Sequence, residues 1–429
     1  MKIINALYQK VKILAFSRTA RFTYVVFSGN LSSAVLAFIF TVLLIRNLSL
    51  ADFGYFSAIW SLLLLVSDIA DLGIGTSLST FLPRMEVDKI KLYSFLKTSA
   101  LFQSIVAFLV GITIFIFSES LSNLLFHTSD LFFLLRVTSL SIIISILGNF
   151  FVYSLSARQR FISVGFISVF GSFIRLILLL SLIFFSSVNL TNSILIQMIT
   201  LVAVFIISFF LLGWEFIYSN VSKINFQQLI SFTYLLGIAK GTTAIASRLD
   251  VLMIVAVKGP VEAGIYATAS RVVSLYPLLS GSFSTVIAPR FASLTGKKEL
   301  REFMIKVSLA TVGIIATAVL LIFIAHPFMT ILFKEKGQLA SSVFQVLLIS
   351  IILFIASVPA VSIAVYYLKK PQILTVNSVI QLIIVVLGNY LMIPRFGRFG
   401  AAYSLIAAYG VTLLTTTALT YYYYQKSQR

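Results

Sequence analysis

The stretch SLADFGYFSA, residues 49–58, returns in faint form 210 residues later as GPVEAGIYAT, residues 259–268. The shift superposes Asp52 on Glu262 and Gly54 on Gly264, each at a turn that opens an apolar run. A second echo closes the same run in each half with Pro-Arg, as FLPRM with Pro83 and Arg84 and as IAPRF with Pro289 and Arg290. Glycine at a helix start and proline at a helix end are common punctuation, so the identities alone are a weak argument. Placement is a stronger one, because both echoes fall at the same helix of a six-helix unit and on the same sides of the membrane. Six is an even number, so two such units share one orientation, related by an axis along the membrane normal.

The composition around these echoes requires a membrane. Of 429 residues 59% are hydrophobic and 10% charged, and the mean hydropathy is +1.06, whereas a soluble domain carries about 25% charged residues. Apolar runs long enough to cross a hydrocarbon core lie near 22–45, 54–82, 92–118, 130–156, 161–186, 192–217, 228–256, 264–290, 301–325, 337–367, 372–393 and 399–424. The expected fold is an all-α integral membrane protein. Its twelve transmembrane helices form two six-helix lobes, related by a pseudo-two-fold axis along the membrane normal and facing a central cavity. The division expected along the chain is a basic cytoplasmic arm (1–21), an N-terminal lobe (22–217), a cytoplasmic linker (218–227), a C-terminal lobe (228–424) and a cytoplasmic tail (425–429). Pro277 and Pro359 fall inside runs and mark kinks.

Charge sets the orientation. Lysine and arginine outnumber the acids 32 to 13, an excess that topogenic loop charge explains without a nucleic-acid partner. With the N-terminus inside, 21 basic residues fall on cytoplasmic segments and six on outer loops, which places both termini in the cytoplasm. With no cysteine, disulfides, thiolate metal sites and a cysteine nucleophile are excluded. The two histidines, His127 and His326, make a histidine-built metal site a poor expectation, and no cofactor is expected. No connection is long enough to fold as a domain, so function must reside in the helix bundle.

Four segments resemble the polysaccharide-transporter branch of the MOP (multidrug, oligosaccharidyl-lipid, polysaccharide) exporters, Wzx-type flippases in particular. They are RNLSLADFGYFS after the first helix, DIADLGIGTSLSTFLPR through the second, RLDVLMIVAVKGPVEAGIYATASRVVSLYPLL across the seventh and eighth, and PRFGRFGAAYS before the twelfth. The resemblance implies two six-helix lobes around a cavity that passes undecaprenyl-pyrophosphate-linked oligosaccharides between leaflets of the bacterial inner membrane. It also implies as partners the polyprenyl-pyrophosphate oligosaccharide, the bilayer and other polysaccharide assembly proteins.

Ionisable side chains at membrane depth are costly and mark pathways. Lys240, Arg248 and Asp250 lie in the seventh run and Arg271 in the eighth. Counted from the outer turn at 1.5 Å per residue, Arg248 is about 12 Å deep, Arg271 about 10 Å and Lys240 about 24 Å. Arginine forks match phosphate oxygens bidentately, so Arg248 and Arg271 are the expected pyrophosphate contacts and Lys240 a second station. The bland alternative pairs Arg248 and Asp250 with neighbouring helices and lets Arg271 snorkel. Ser57, Ser61, Asp68, Asp71, Gly75 and Ser79 share one face of the second run. Asp68 and Asp71 could couple transport to H⁺ or Na⁺, gate the inner side, or serve structure; Asp250 is a further coupling or gating candidate. Arg175, near the middle of the fifth run, is either a cavity cation or a partner for Asp68. Arg136 is expected to snorkel, and Asn30, which superposes on Lys240, is a cavity position. Asn377 and Gln381 could meet sugar hydroxyls, although interhelical glue is the commoner use.

Three functions compete. A lipid-linked oligosaccharide flippase, for O-antigen, capsule or a related polysaccharide, fits the surplus of intramembrane cations. An ion-coupled multidrug or cation antiporter of the same superfamily should favour a carboxylate-rich cavity. A membrane-embedded polysaccharide polymerase or ligase should carry a long outer loop, which this chain lacks.

Overall fold

A computed structural model describes residues 18–426 apart from residue 295, with side chains from residue 28 onward except at 235 and 239. Residues 1–17 of the expected basic arm and 427–429 of the tail lie outside the described residues. The described chain is all helix. The first six-run stretch forms α1 (Arg18–Asn47), α2 (Leu50–Ala70), α3 (Ile74–Met85), α4 (Lys89–Ile116), α5 (Ser118–Phe126), α6 (Phe132–Ala157), α7 (Phe161–Phe184) and α8 (Leu190–Leu212). There follow α9 (Lys223–Lys258), α10 (Pro260–Val273), α11 (Leu275–Ser293), α12 (Lys297–Phe323), α13 (Ala325–Phe333), α14 (Glu335–Ser362), α15 (Gln372–Phe396) and α16 (Arg398–Lys426). Among the described residues eleven segments are long and apolar enough to span a bilayer, and α9, bent by 43° near residue 235, makes a twelfth if it crosses as one span. Helices suit this solvent because hydrocarbon offers no partner to an unpaired backbone group.

Helix ends are set by local chemistry. Ser49 and Asp52 close a box at the start of α2, with the Asp52 amide donating to the Ser49 hydroxyl at 3.0 Å and that hydroxyl to the carboxylate at 2.7 Å. Asp88 caps α4 by accepting from the Lys91 amide, which holds its carboxyl below the usual carboxylate range. Asn189 caps α8 in the same way.

Two of the long runs are broken, one of them without a proline to announce it. The second run stops at Ala70 and resumes at Ile74, with Leu72 and Gly73 at φ 48° and 81°. Only glycine takes the left-handed region freely, so DLGIG encodes a break, and the single polar face expected from Ser57 to Ser79 becomes two. The eighth run breaks at Ser274, three residues ahead of Pro277. In the tenth, α14 passes Pro359 and ends in a π-helical turn at Ile363–Tyr367. Both prolines thus mark irregular backbone, as a missing amide requires.

The chain forms two compact units. Among the described residues the first comprises 18–44, Val66–Glu119 and Asp130–Lys240. Its core joins Ile74, Leu78 and Leu82 of α3 to Leu92 and Phe95 of α4, and to Phe150, Phe151 and Leu155 of α6. The second comprises Ile45–Leu65, Ser120–Ser129 and 241–426. Here Ile287 and Phe291 of α11 pack with Leu300 and Val307 of α12 and Val358 of α14.

Within the second unit the two echoed turns touch. A Cβ built on Gly54 would fall onto the Pro260 carbonyl oxygen, and one on Gly264 onto the Leu50 carbonyl oxygen. Leu50 and Pro260 are themselves 210 residues apart, so the contact is reciprocal. The nine-residue helices α5 and α13 repeat as well, each followed by a residue with positive φ, His127 at 53° and Lys334 at 56°. Each reaches the end of another long helix. His127 donates Nε2–H to the Ala256 carbonyl near the end of α9 at 2.7 Å. Beside α13, the Lys336 ammonium donates to the carbonyls of Ile45, Arg46 and Leu48 at the end of α1, and Arg46 donates to Ile331 and Leu332. These bonds satisfy carbonyls that a helix end leaves without partners.

Candidate functional site

In the first unit a polar cluster is built on the break in α2–α3. Gly73 lies so close to α9 that a Cβ there would come within 2.6 Å of the Leu236 Cβ. One turn along α9 from that contact, the Lys240 ammonium pairs with Asp71 Oδ2. Lys240 also lies over the Tyr153 ring at 5.3 Å from its centroid. Tyr153 packs closely on Gly75, where an added Cβ would meet the ring at 2.9 Å. The Ala70 carbonyl, at the end of α2, accepts from Gln103 Nε2 at 3.0 Å. The Asp71 side chain is 11% exposed and that of Lys240 37%. The pair is therefore a contact between a nearly buried anion and a cation still open on one side. Lys240 and Asp71, read separately from the sequence as substrate cation and coupling carboxylate, are brought together. Asp68, one turn before Asp71, acts electrostatically on the same Tyr153 hydroxyl.

Arg175 of α7 is half-buried, its guanidinium 5.6 Å from the centre of the Phe40 ring of α1. That distance suits a cation–π contact, which strengthens when both groups are desolvated. The Ser33 hydroxyl of α1 binds α7 two and one turns earlier, at the Ser168 carbonyl and the Ser172 hydroxyl. Asn30, further toward the N-terminus of α1, is exposed. Arg136 is exposed between the Phe115 and Phe132 rings, 5.1 Å from each centroid.

In the second unit Asp250 accepts from the Tyr266 hydroxyl at 2.5 Å and from the Val251 amide at 2.8 Å. Tyr266 is fully buried. Arg248 and Tyr409 complete its polar surroundings. A carboxylate enclosed in this way needs such donors, since burial without them is prohibitive. Arg271, in the last turn of α10, is half-buried. The Arg271 carbonyl accepts from Ser274 at the break. Glu262, the counterpart of Asp52, pairs across the unit with Arg398 at the start of α16. Asn377 is held by Thr415 and Thr416 of α16, which is the interhelical use, whereas Gln381 lines a cavity with Tyr409 and Thr412. Among the described residues no group of acids and histidines could hold a metal ion.

The sequence reading missed the aromatic hydroxyl partners Tyr153, Tyr266 and Tyr409 and the amide Gln103. Tyrosine in an apolar run reads as filler, and nothing in its spacing says that the Tyr266 hydroxyl ends on Asp250 or that the Tyr153 ring lies under Lys240. The signal available was the buried acid itself: Asp71 and Asp250 each had to find donors.

The broken helices, the Lys240–Asp71 pair and the carboxylate of Asp250 inside an apolar run define a polytopic helical membrane protein. The chain belongs to the family described as polysaccharide biosynthesis protein, whose model matches residues 20–295. Among solved structures it is similar to the lipid II flippase MurJ in an inward closed conformation, with 16% identity over 92% of this chain and 86% of that one, at a TM-score of 0.75. It is also similar to an inward-facing multidrug resistance MATE family transporter of the MOP superfamily, at 13% identity, 91% and 93% coverage and a TM-score of 0.72. A MOP superfamily transporter from Pyrococcus furiosus, whose binding pocket is described as of reverse polarity, matches at 14% identity, 91% and 94% coverage and a TM-score of 0.58. A search of curated protein sequences gives no match. The fold is thus that of MOP superfamily transporters, a class of transporters and flippases rather than enzymes.

Proposed function

We propose that the protein is a flippase for undecaprenyl-pyrophosphate-linked oligosaccharides, resident in the bacterial inner membrane with both termini in the cytoplasm. It would serve the synthesis of O-antigen, capsule or a related polysaccharide. The observation that carries this reading is a surplus of cations within membrane-spanning helices of a polysaccharide-biosynthesis family member. Arg175, Lys240, Arg248 and Arg271 stand against Asp68, Asp71 and Asp250. Arg248 and Arg271 belong to the second unit and supply two guanidinium forks for the pyrophosphate; Arg175 and Lys240 belong to the first. A cargo bearing a pyrophosphate compensates them in low dielectric, whereas a cationic drug does not.

Movement would follow alternating access, one lobe (22–217) rocking against the other (228–424). Lys240 becomes available to substrate only when it leaves Asp71, so the pair acts as a gate that an incoming anion can open. Asp68, Asp71 and Asp250 are the carboxylates through which H⁺ or Na⁺ could drive the cycle.

Replacing Arg271 by alanine tests the assignment. Export of the glycan should fall to background while membrane insertion stays normal and the lipid-linked intermediate accumulates; undiminished export would overturn it. Asp68→Asn should shift the dependence of transport on pH or Na⁺, and unchanged profiles would remove Asp68 from the coupling groups.

A further inference from the structure

Within the second unit, α11, α14, α15 and α16 line a partly open cavity of about 290 Å³. No charged side chain lines it among the described residues. Several polar groups on its wall are engaged elsewhere: Asn377 by α16, and Ser357 and Ser378 by carbonyls of their own helices. Others are not. The Thr412 hydroxyl is buried without a hydrogen-bond partner, and Ser280, Ser284 and Gln381 have none among the described residues. Beside these groups the Phe354 and Tyr409 rings form a tilted pair with centroids 5.2 Å apart. Two of the four walls are proline-bearing helices, α11 with Pro277 just past its break and α14 with Pro359.

We infer that this cavity is a subsite for one uncharged sugar residue of the cargo, a step that rests on the flippase reading and adds a glycan contact to it. The chemistry selects the ligand. A pyrophosphate would enter a pocket without a cation. A prenyl chain would satisfy the aromatic wall but leave Thr412 and Gln381 without partners, and buried polar groups left unpaired oppose binding. A pyranose ring carries both complements, hydroxyls at its edge and C–H groups on its faces. The volume lies at the lower end for small-molecule sites, which admits a single ring and leaves the rest of an oligosaccharide outside.

The test is photolabelling of the full-length purified protein with a diazirine-bearing N-acetylglucosamine glycoside, mapped by peptide mass spectrometry. Label is expected on the peptides of α15 and α16 that carry Gln381 and Thr412, competed by free neutral disaccharide and not by a short prenol. The double substitution Thr412→Val with Gln381→Leu should reduce labelling about tenfold, while circular dichroism and detergent melting report an intact fold. Competition by the prenol, labelling that the double variant leaves unchanged, or label confined to other helices would each overturn the assignment. Labelling that persists as expected in a protein whose wild type moves no lipid-linked glycan in vesicles would instead overturn the flippase reading alone.

Discussion

Of the single residues, Lys240 and Asp71 show how far charge could be read before a structure. Each is identifiable in the sequence as a charge inside an apolar run, and cost alone says that each must have a reason to be there. Their pairing was not legible, because 169 residues separate them and it depends on a break in α2–α3 that brings Asp71 against α9. Removing one partner leaves the other exposed to the desolvation penalty, while removing both does not. Lys240→Met should therefore lower stability by about 1–3 kcal/mol, the lower range fitting a lysine that is partly open. Adding Asp71→Leu should restore most of it. Detergent melting of the three variants decides the matter, and equal losses in single and double variants would show that the two are not coupled. Asn377 and Gln381 were equivalent in sequence, one turn apart on one run; only the threonines of α16, engaged with the first and not the second, distinguish them.

Helices were legible as hydrocarbon runs and illegible as breaks. Twelve runs were countable because each must cover the same thickness of lipid, and Pro277 and Pro359 announced irregularity in two of them. Leu72 and Gly73 did not, since an isolated glycine in a membrane helix is unremarkable until its φ is known. The short helices α5 and α13 were read as loops because their polar openings, SES and AHP, look like the ends of spans. Gly54 and Gly264, like Gly337 and Gly400, are positions at which an element depends on having no side chain. Because the obstacle is a backbone oxygen, rotation of a neighbour cannot relieve it. Gly54→Ala and Gly264→Ala should each cost about 1–3 kcal/mol in detergent melting. Gly313→Ala, where an added Cβ meets nothing within 4 Å, should be neutral or slightly stabilising. Equal behaviour of all three would refute the close crossing of α2 and α10.

On the scale of the whole molecule, composition and loop charge decide more than any motif. The membrane assignment follows from hydropathy, and the proposed orientation rests on 21 basic residues against six. A chain without cysteine makes the orientation easy to check. Single cysteines at Asp88 and Lys223 should react with an impermeant maleimide only after the cytoplasmic face is opened, and cysteines at His127 and Lys334 in intact cells; the reverse pattern would invert the topology. The cargo's identity was not legible at this scale, because a glycan of neutral sugars is recognised by ordinary serines, threonines and amides that also serve as glue between helices. The crossing of Gly54 and Gly264 has a consequence for how such a chain can arise. A contact that maps onto itself when its two sides are exchanged needs only one sequence to make both of them, as at the axis of a homodimer. A half-length ancestor pairing with its own copy would already have possessed it. In a chain built by such a fusion the flanking residues can differ, as Asp52 at its own helix cap and Glu262 on Arg398 do, while the two glycines, each confined by the other's backbone, cannot.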